Sequence, residues 1–426
     1  MLDINFIRNN KDKVKENLKK RQTYDISIID KVLELDKKWR ELKGDADLLR
    51  SERNKLTLEI TKLSKEKKDI KSLVAKAKSL PQEINDHEKL VENLRKEIDS
   101  ILMSLPNLLH DSVPYGKDDS ENKIVKLFGK KPSFKFPLVS HVDLMEKNNW
   151  VDLERAAKIS GARWYFLKGD LAILEQALIR YAIDFMSKKK YEFIIPPHMI
   201  NKKSYEGVTS LNDFEEMLYK VENEDLYQIA TSEHPITAMY MNEVIDSSKL
   251  PMKFVGLSTN FRKEVGAHGK DQKGIFRVHQ FSKVEQVILC KPEDSWRLHE
   301  ELIKNAIEFF TKLGLHFRQV NVCTGDIGIV AAKKYDLEVF YPVQDNFREV
   351  VSCSNCTSYQ SIRLNMRYNT SNGNEHIHTL NSTVVATTRA LVAILENYQQ
   401  KDGSVKIPKV LIPYMPNKKS VIGGKK

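Results

Sequence analysis

The stretch FRKEVGAHGKDQKGIFRVHQFSKVEQVIL, residues 261–289, decides how the chain is to be read. Two runs of strand character flank a loop holding Gly266, Gly269, Gly274, Lys270 and Lys273, the composition of a hairpin with a long basic turn. Successive side chains of a strand alternate between faces. Arg262 and Glu264 therefore share one face of the first run, and Arg277, His279, Phe281, Lys283 and Glu285 share one face of the second. Arginine grips phosphate through a bidentate fork, an aromatic ring offers a stacking plate, and a carboxylate accepts from a hydroxyl or ammonium. A sheet face with these groups suits a nucleotide beside an amino compound. A half-exposed hairpin with its charges in water is the plain alternative, and the residues alone leave both open.

Working outward, 426 residues give room for a large core plus one accessory domain. A formal net charge of +11 suits a polyanionic partner. Four cysteines (Cys290, Cys323, Cys353, Cys356) are too few for a disulfide framework. The opening MLDINFIRNNKDK lacks a signal peptide's apolar centre, and no apolar run reaches membrane-span length. A soluble cytoplasmic protein is expected.

The first hundred residues carry a heptad pattern. Val32, Leu35, Trp39, Leu42, Ala46, Leu49, Arg53, Leu56, Ile60 and Leu63 alternate steps of three and four, with Arg53 a charged interruption. A second stripe runs from Ile70 to Leu105, and the break at residues 64–69 makes the pair an antiparallel coiled-coil hairpin. Pro81 is a local fault and an expected kink. Lys62, Lys65, Lys67, Lys68, Lys71, Lys76 and Lys78 crowd its tip and flanks. They suit a phosphate backbone, although a dimerising coiled coil with a solvated charged face explains the same residues.

Residues 1–105 are thus expected to form a helical arm, 106–130 a linker rich in Pro, Gly and Asp, and 131–426 the main domain, with a disordered basic tail at 417–426. Leu171, Leu174, Leu178, Tyr181 and Phe185 mark an amphipathic helix leading into YEFIIPPHMI, a strand ended by Pro196 and Pro197. Thr231 and Glu233 share a face if QIATSEHPITAMY (228–240) opens with a strand end. Glu349 and Ser352, three apart, cannot share a face of a regular strand, so a bulge or strand end is implied there. Asn381 and Thr383 share a strand face, and Arg389 falls in the first turn of the helix that follows, where anions are favoured. Cys353 and Cys356 form a C-x-x-C followed by His376 and His378, but the spacing fits no common zinc finger.

FRKE, the basic loop and GIFRVHQFSKVEQ resemble motif 2 of the class II aminoacyl-tRNA synthetases, and in this wording are similar to the seryl-tRNA synthetase family. The first 21 residues resemble that family's start. The helix, strand and prolines at 171–200 resemble motif 1, a homodimer interface, and HTLNSTVVATTRALVAILENYQ (378–399) resembles motif 3 in its archaeal and eukaryotic wording. The resemblance implies an α+β fold: an antiparallel catalytic sheet flanked by helices, with the coiled-coil arm gripping tRNA. It implies ATP- and Mg²⁺-dependent activation of L-serine to seryl-adenylate and transfer to tRNA(Ser), and leaves open whether tRNA(Sec) is charged too. By resemblance Arg262 holds the α-phosphate and Arg389 the outer phosphates, the two catalytic arginines. ATP further involves Lys263, Glu264 on the adenine side, Arg277 toward the outer phosphates, backbone near Val278, and Phe281 stacked on adenine. Glu349, Val350, Val351 and Ser352 meet ATP, with Glu349 and Ser352 on Mg²⁺. Thr231, Ser232, Glu233, Asn381 and Thr383 hold serine, and Glu285 accepts its hydroxyl. Zinc belongs to a rarer methanogen type that this sequence does not resemble.

A class I synthetase or P-loop ATPase would carry a HIGH-type or G-x-x-x-x-G-K-[ST] motif, and neither is present. A class II homologue that loads carrier proteins lacks the long arm. A non-catalytic RNA-binding paralogue would be expected to have lost some of Arg262, Glu264, Phe281, Glu285, Glu349 and Arg389, all of which stand here.

Overall fold

In a computed structural model, residues 1–22, 24–211, 215–265 and 273–424 are described. Gly266, Gly269 and Lys270 of the basic loop lie outside them. The chain divides into two compact units, Met1–Pro106 and Asn107–Lys426.

The first unit is a helical hairpin, α1 (Ile28–Lys65) and α2 (Lys71–Ser104), preceded by short helices at Ile4–Asn9 and Lys11–Lys20. At 1.5 Å per residue each arm is roughly 50–57 Å long. The heptad positions are buried or half-buried, save Arg53, which is exposed. Val32, Ala46 and Leu56 of one helix and Leu80, Ile84 and Ile98 of the other form the dry seam. Helix α2 is continuous through Pro81. At the base, Asp36 is almost fully buried and accepts from Arg8 and Arg40, each at 3.1 Å, which ties the first short helix to the hairpin. Pairs along the shaft such as Arg50–Glu88 and Lys76–Glu52 are half-exposed, so solvent screens them and they add little. Apolar burial, not charge, holds the helices together.

The second unit is built on eight strands: β1 (Lys123–Phe128), β2 (Glu192–Ile194), β3 (Met252–Phe261), β4 (Gln280–Cys290), β5 (Phe317–Asn321), β6 (Lys333–Tyr341), β7 (Asn346–Asn355) and β8 (His378–Ala386). Their order is β1-β5-β6-β7-β8-β4-β3-β2, antiparallel throughout except for the edge pair β2–β3. Helices α3 (Gly169–Ser187), α4 (Glu233–Ala238), α5 (Ser295–Leu313) and α6 (Thr387–Tyr398) flank the sheet. Period two sorts β4 cleanly: Val284, Ile288 and Cys290 enter the main core with Leu298 and Leu302 of α5 and Leu391 and Leu395 of α6. Phe281, Lys283 and Glu285 turn to the opposite face, which carries the site. The stripe Leu171, Leu174, Leu178, Tyr181 and Phe185 is buried in the same core, as its helical spacing requires.

Two expectations from composition fail. Residues 106–130 are not a free linker: Asn107 donates to the Val330 and Cys356 carbonyls at 2.9 and 2.8 Å, and β1 pairs with β5 as the sheet's edge. The polar residues there disguise a segment held by backbone pairing. The tail is also ordered as far as it is described. Val421–Gly423 pairs with Ser404–Lys406, Lys419 reaches Asp170 at 2.6 Å, and Ile422 is fully buried.

Among the described residues no helix is long and apolar enough to cross a membrane. The tail makes a testable point. Ile422→Ala removes buried methyl groups and should destabilise this unit by about 2–5 kcal/mol, read as a lower thermal midpoint. An unchanged midpoint would show that the tail does not pack.

Candidate active site

The β3–β4 hairpin pairs in register from Met252–Leu289 to Phe261–Gln280. Arg262, Glu264, Arg277 and His279, expected within the strands, therefore lie just beyond them. The Arg262 N–H still donates to the His279 carbonyl at 2.9 Å, but Glu264 has φ +50°, which ends extended chain. Glu264 meets Arg277 as an ion pair, Oε2 to Nε 2.6 Å. The resemblance implies roles at opposite ends of the nucleotide for these two, and here they are partners.

One cavity is lined by Arg262, Glu264, Phe276, Arg277, Val278, Phe281, Lys283, Glu349, Val350, Ser352, Thr383, Ala386, Thr388 and Arg389. Arg262 lies over the Phe281 ring at 5.2 Å and donates through Nη2 to the Ala230 carbonyl at 3.3 Å. Its Nε is buried with no hydrogen-bond partner among the described residues. Burial, and then the neighbouring Arg389, push the Arg262 pKa down. Two guanidinium groups facing one cavity, one with an unused donor, are an anion site. Arg389 sits in the first turn of α6, donates to the Glu349 carbonyl at 2.9 Å and lies 3.6 Å from its carboxylate. Burial alone would raise the Glu349 carboxyl, but Arg389, Lys334 and Arg262 outweigh it and hold the group well below the usual range.

The bulge implied by the Glu349–Ser352 spacing is present. Glu338 pairs with Glu349 while Leu337 pairs with Val351, so Val350 is the extra residue. A second irregularity lies on the other side of the site, where Thr383 pairs with Glu285 and Val385 with Val284.

Glu285 lies behind the cavity wall. It is 1% exposed, ion-paired to Lys283 at 2.8 Å and hydrogen-bonded to Thr383; burial raises its pKa against both of these partners. On the other strand Gly256 stands opposite Glu285. A side chain there would strike Ile236 Cδ1 at 2.4 Å and Ser232 Oγ at 2.8 Å, so only glycine lets α4 sit this close to the sheet. That approach brings Glu233 to the site. Burial first, and then the Glu285 charge, push the Glu233 carboxyl up to about 7. The Thr-Ser-Glu run is thus not a strand end: it opens α4, and Pro235 falls in the first turn, where a helix tolerates proline.

Several residues named from sequence do not line the cavity. Lys263 Nζ lies 5.9 Å over the Tyr219 ring. The Val351 side chain belongs to the core. Ser232 donates to the Gly256 carbonyl at 3.3 Å, Thr231 Oγ1 accepts from the Glu233 N–H at 3.2 Å, and Asn381 donates to Cys356 Sγ at 3.7 Å. His376 faces the Met366 carbonyl and His378 faces Ser295, away from any shared ligand set. Sequence reasoning missed Phe276, Ala386 and Thr388 on the wall, and Gln360, which donates to Glu233 at 3.2 Å and accepts from Thr379 at 2.5 Å. It gave Lys283 no role, although its place between Phe281 and Glu285 at period two was the available signal.

The comparisons agree with this geometry. The family described as tRNA synthetase class II core domain (G, H, P, S and T) matches residues 218–398, and the Seryl-tRNA synthetase N-terminal domain matches residues 1–109. A serine–tRNA ligase of Methanocorpusculum labreanum is 54% identical over 419 residues, 97% of this chain and 99% of the relative. The crystal structure of seryl-tRNA synthetase from Pyrococcus horikoshii complexed with ATP superposes with a TM-score of 0.94 at 45% identity, covering 100% of both chains. The cytoplasmic serine–tRNA ligase of Naegleria fowleri in complex with AMP gives a TM-score of 0.88 at 39% identity, covering 100% of this chain and 99% of that one. With a cavity of paired arginines on an antiparallel sheet, a helical arm, and matches running the length of the chain, the protein belongs to the seryl-tRNA synthetase family of class II aminoacyl-tRNA synthetases.

Proposed function

We propose that the site joins L-serine to ATP and passes the seryl group to tRNA(Ser). The observation that carries this reading is that Arg262, Arg389 and Thr383 line one cavity, with Glu285 buried behind its wall beside Thr383 and Lys283, and Glu233 within electrostatic reach of Glu285 and Arg262. In the first step a serine carboxylate oxygen attacks the α-phosphorus, the bond to the bridging oxygen breaks, and pyrophosphate leaves. In the second a ribose hydroxyl of the terminal adenosine attacks the seryl carbonyl and AMP leaves. No side chain need act as a nucleophile. The protein orients the two substrates and meets the charge that develops on phosphate with preorganised donors. Arg262 supports the α-phosphate, its cation resting on Phe281, and Arg389 supports the outer phosphates from a helix N-terminus. Glu285 accepts the serine hydroxyl. An alanine side chain would leave that buried acceptor unpaired, which is a strong basis for rejection.

Glu349 and Ser352 fit a magnesium ion, since both line the cavity and the carboxylate is held in its charged form. Mg²⁺ takes one or two carboxylates together with substrate phosphates, and it would supply neutralising charge there. The free, buried cysteines suit a reducing cytoplasm. A homodimer through the α3–β2 region would cover the exposed apolar Phe193, Ile195 and Met199 beside an open strand edge. The arm would grip tRNA by shape and backbone, its lysines meeting phosphate.

ATP–pyrophosphate exchange should proceed with serine and not with threonine, alanine or cysteine, and Arg262→Ala or Arg389→Ala should slow it by about 10²–10³-fold. Exchange with none of these amino acids, or equally with alanine, would defeat the reading. Deleting residues 31–102 should spare exchange and abolish tRNA charging; retained charging would remove the arm's assigned role.

A further inference from the structure

Lys283 lines this site, and the proposed chemistry gives it no task. It occupies the outward position of β4 immediately before Glu285, and both side chains are at least nine-tenths buried, 9% and 2% exposed, with Nζ 2.8 Å from Oε2. Lys283 lines the cavity shared with Arg262, Arg389 and Glu349, whereas Glu285 sits behind it. Lys283 also acts on Glu233: its charge lowers that carboxyl's pKa, as it lowers that of Glu285.

Two carboxylates brought together away from water repel one another and need a cation. A serine ammonium beside Glu233 is such a cation, so with substrate bound the pair no longer depends on Lys283 alone, and Glu285 is left to accept the serine hydroxyl. A lysine ammonium is compact, carries three donors and rides on a flexible stem. Once released, it remains in the cavity it already lines with Glu349, where on the proposed chemistry the serine carboxylate and the α-phosphate meet.

We propose that Lys283 is the resident counter-ion of the amino-acid subsite, surrendering Glu285 to incoming serine and turning its own ammonium to the carboxylate–phosphate junction, so that serine and nucleotide each strengthen the other's binding. The inference rests on the serine–ATP reading and assigns Lys283 as a positioning residue that couples the two ligands. Such coupling is reciprocal by necessity.

The test is calorimetry on the full-length protein with L-serine and α,β-methylene-ATP, each titrated alone and in the presence of the other. Wild type should show each ligand lowering the other's Kd by the same factor, about 5–150-fold for an ordinary coupling. Lys283→Met should bring that factor close to one, and Lys283→Arg, which keeps a cation, should retain it. A merely structural role would weaken both ligands and leave their ratio intact. Independent binding in wild type, undiminished coupling in Lys283→Met, or equal loss in Lys283→Arg overturns the inference. If wild type binds neither ligand, the serine–ATP reading itself has failed. The wild-type measurement stands even if a variant does not fold.

Discussion

The catalytic unit depends on balancing charge that has been taken out of water. Arg262, Lys283, Lys334 and Arg389 stand against Glu233, Glu285, Asp336 and Glu349 in a linked chain of electrostatic neighbours, with Arg389 and Glu349 at its partly exposed rim. An unpaired buried ion carries a penalty of several kcal/mol, so no one of these groups is placed independently of the rest. Asp336 illustrates the constraint. It stands opposite Ser352, is 4% exposed, and has Lys334 at 3.0 Å; burial raises its carboxyl in spite of that partner. The cluster as named balances four cations against four carboxylates, and the proposed binding of phosphates and an ammonium would enter that balance.

The backbone devices around the cavity serve that balance. The extra residue at Val350 turns Glu349 and Ser352 to one side. The irregularity after Thr383 keeps its hydroxyl on Glu285 while Val384 and Val385 return to the core. Gly256 admits the helix bearing Glu233. Bulges and missing side chains weaken a sheet considered alone, and here they are grouped around one cavity.

Patterns of period were legible in the sequence. The heptads located both arm helices and the break between them, α3 appeared from its apolar stripe, and the Glu349–Ser352 spacing announced a bulge. What composition alone suggested was less secure. The polar residues of 106–130 and the lysines of 417–426 look like linker and tail, yet long-range backbone pairing holds residues 123–128 and 421–423, and pairing of that kind leaves no local mark. The ends of the β3–β4 strands were overextended because alternation continues through Arg262 and Arg277 after the hydrogen-bond ladder has stopped. The ion pair of Glu264 with Arg277 needed the left-handed turn at Glu264, which no spacing rule reports. Roles for Arg262, Phe281 and Glu285 came from family resemblance; that Arg262 and Phe281 line one cavity with Glu285 buried behind its wall came from the structure.

The most direct measurement of the central claim is a crystal structure of the full-length protein with a non-hydrolysable seryl-adenylate analogue. The account predicts adenine against Phe281, the phosphate-mimicking group within hydrogen-bond reach of Arg262, and the seryl hydroxyl on Glu285. An analogue seated elsewhere, or one touching neither Arg262 nor Glu285, would contradict it.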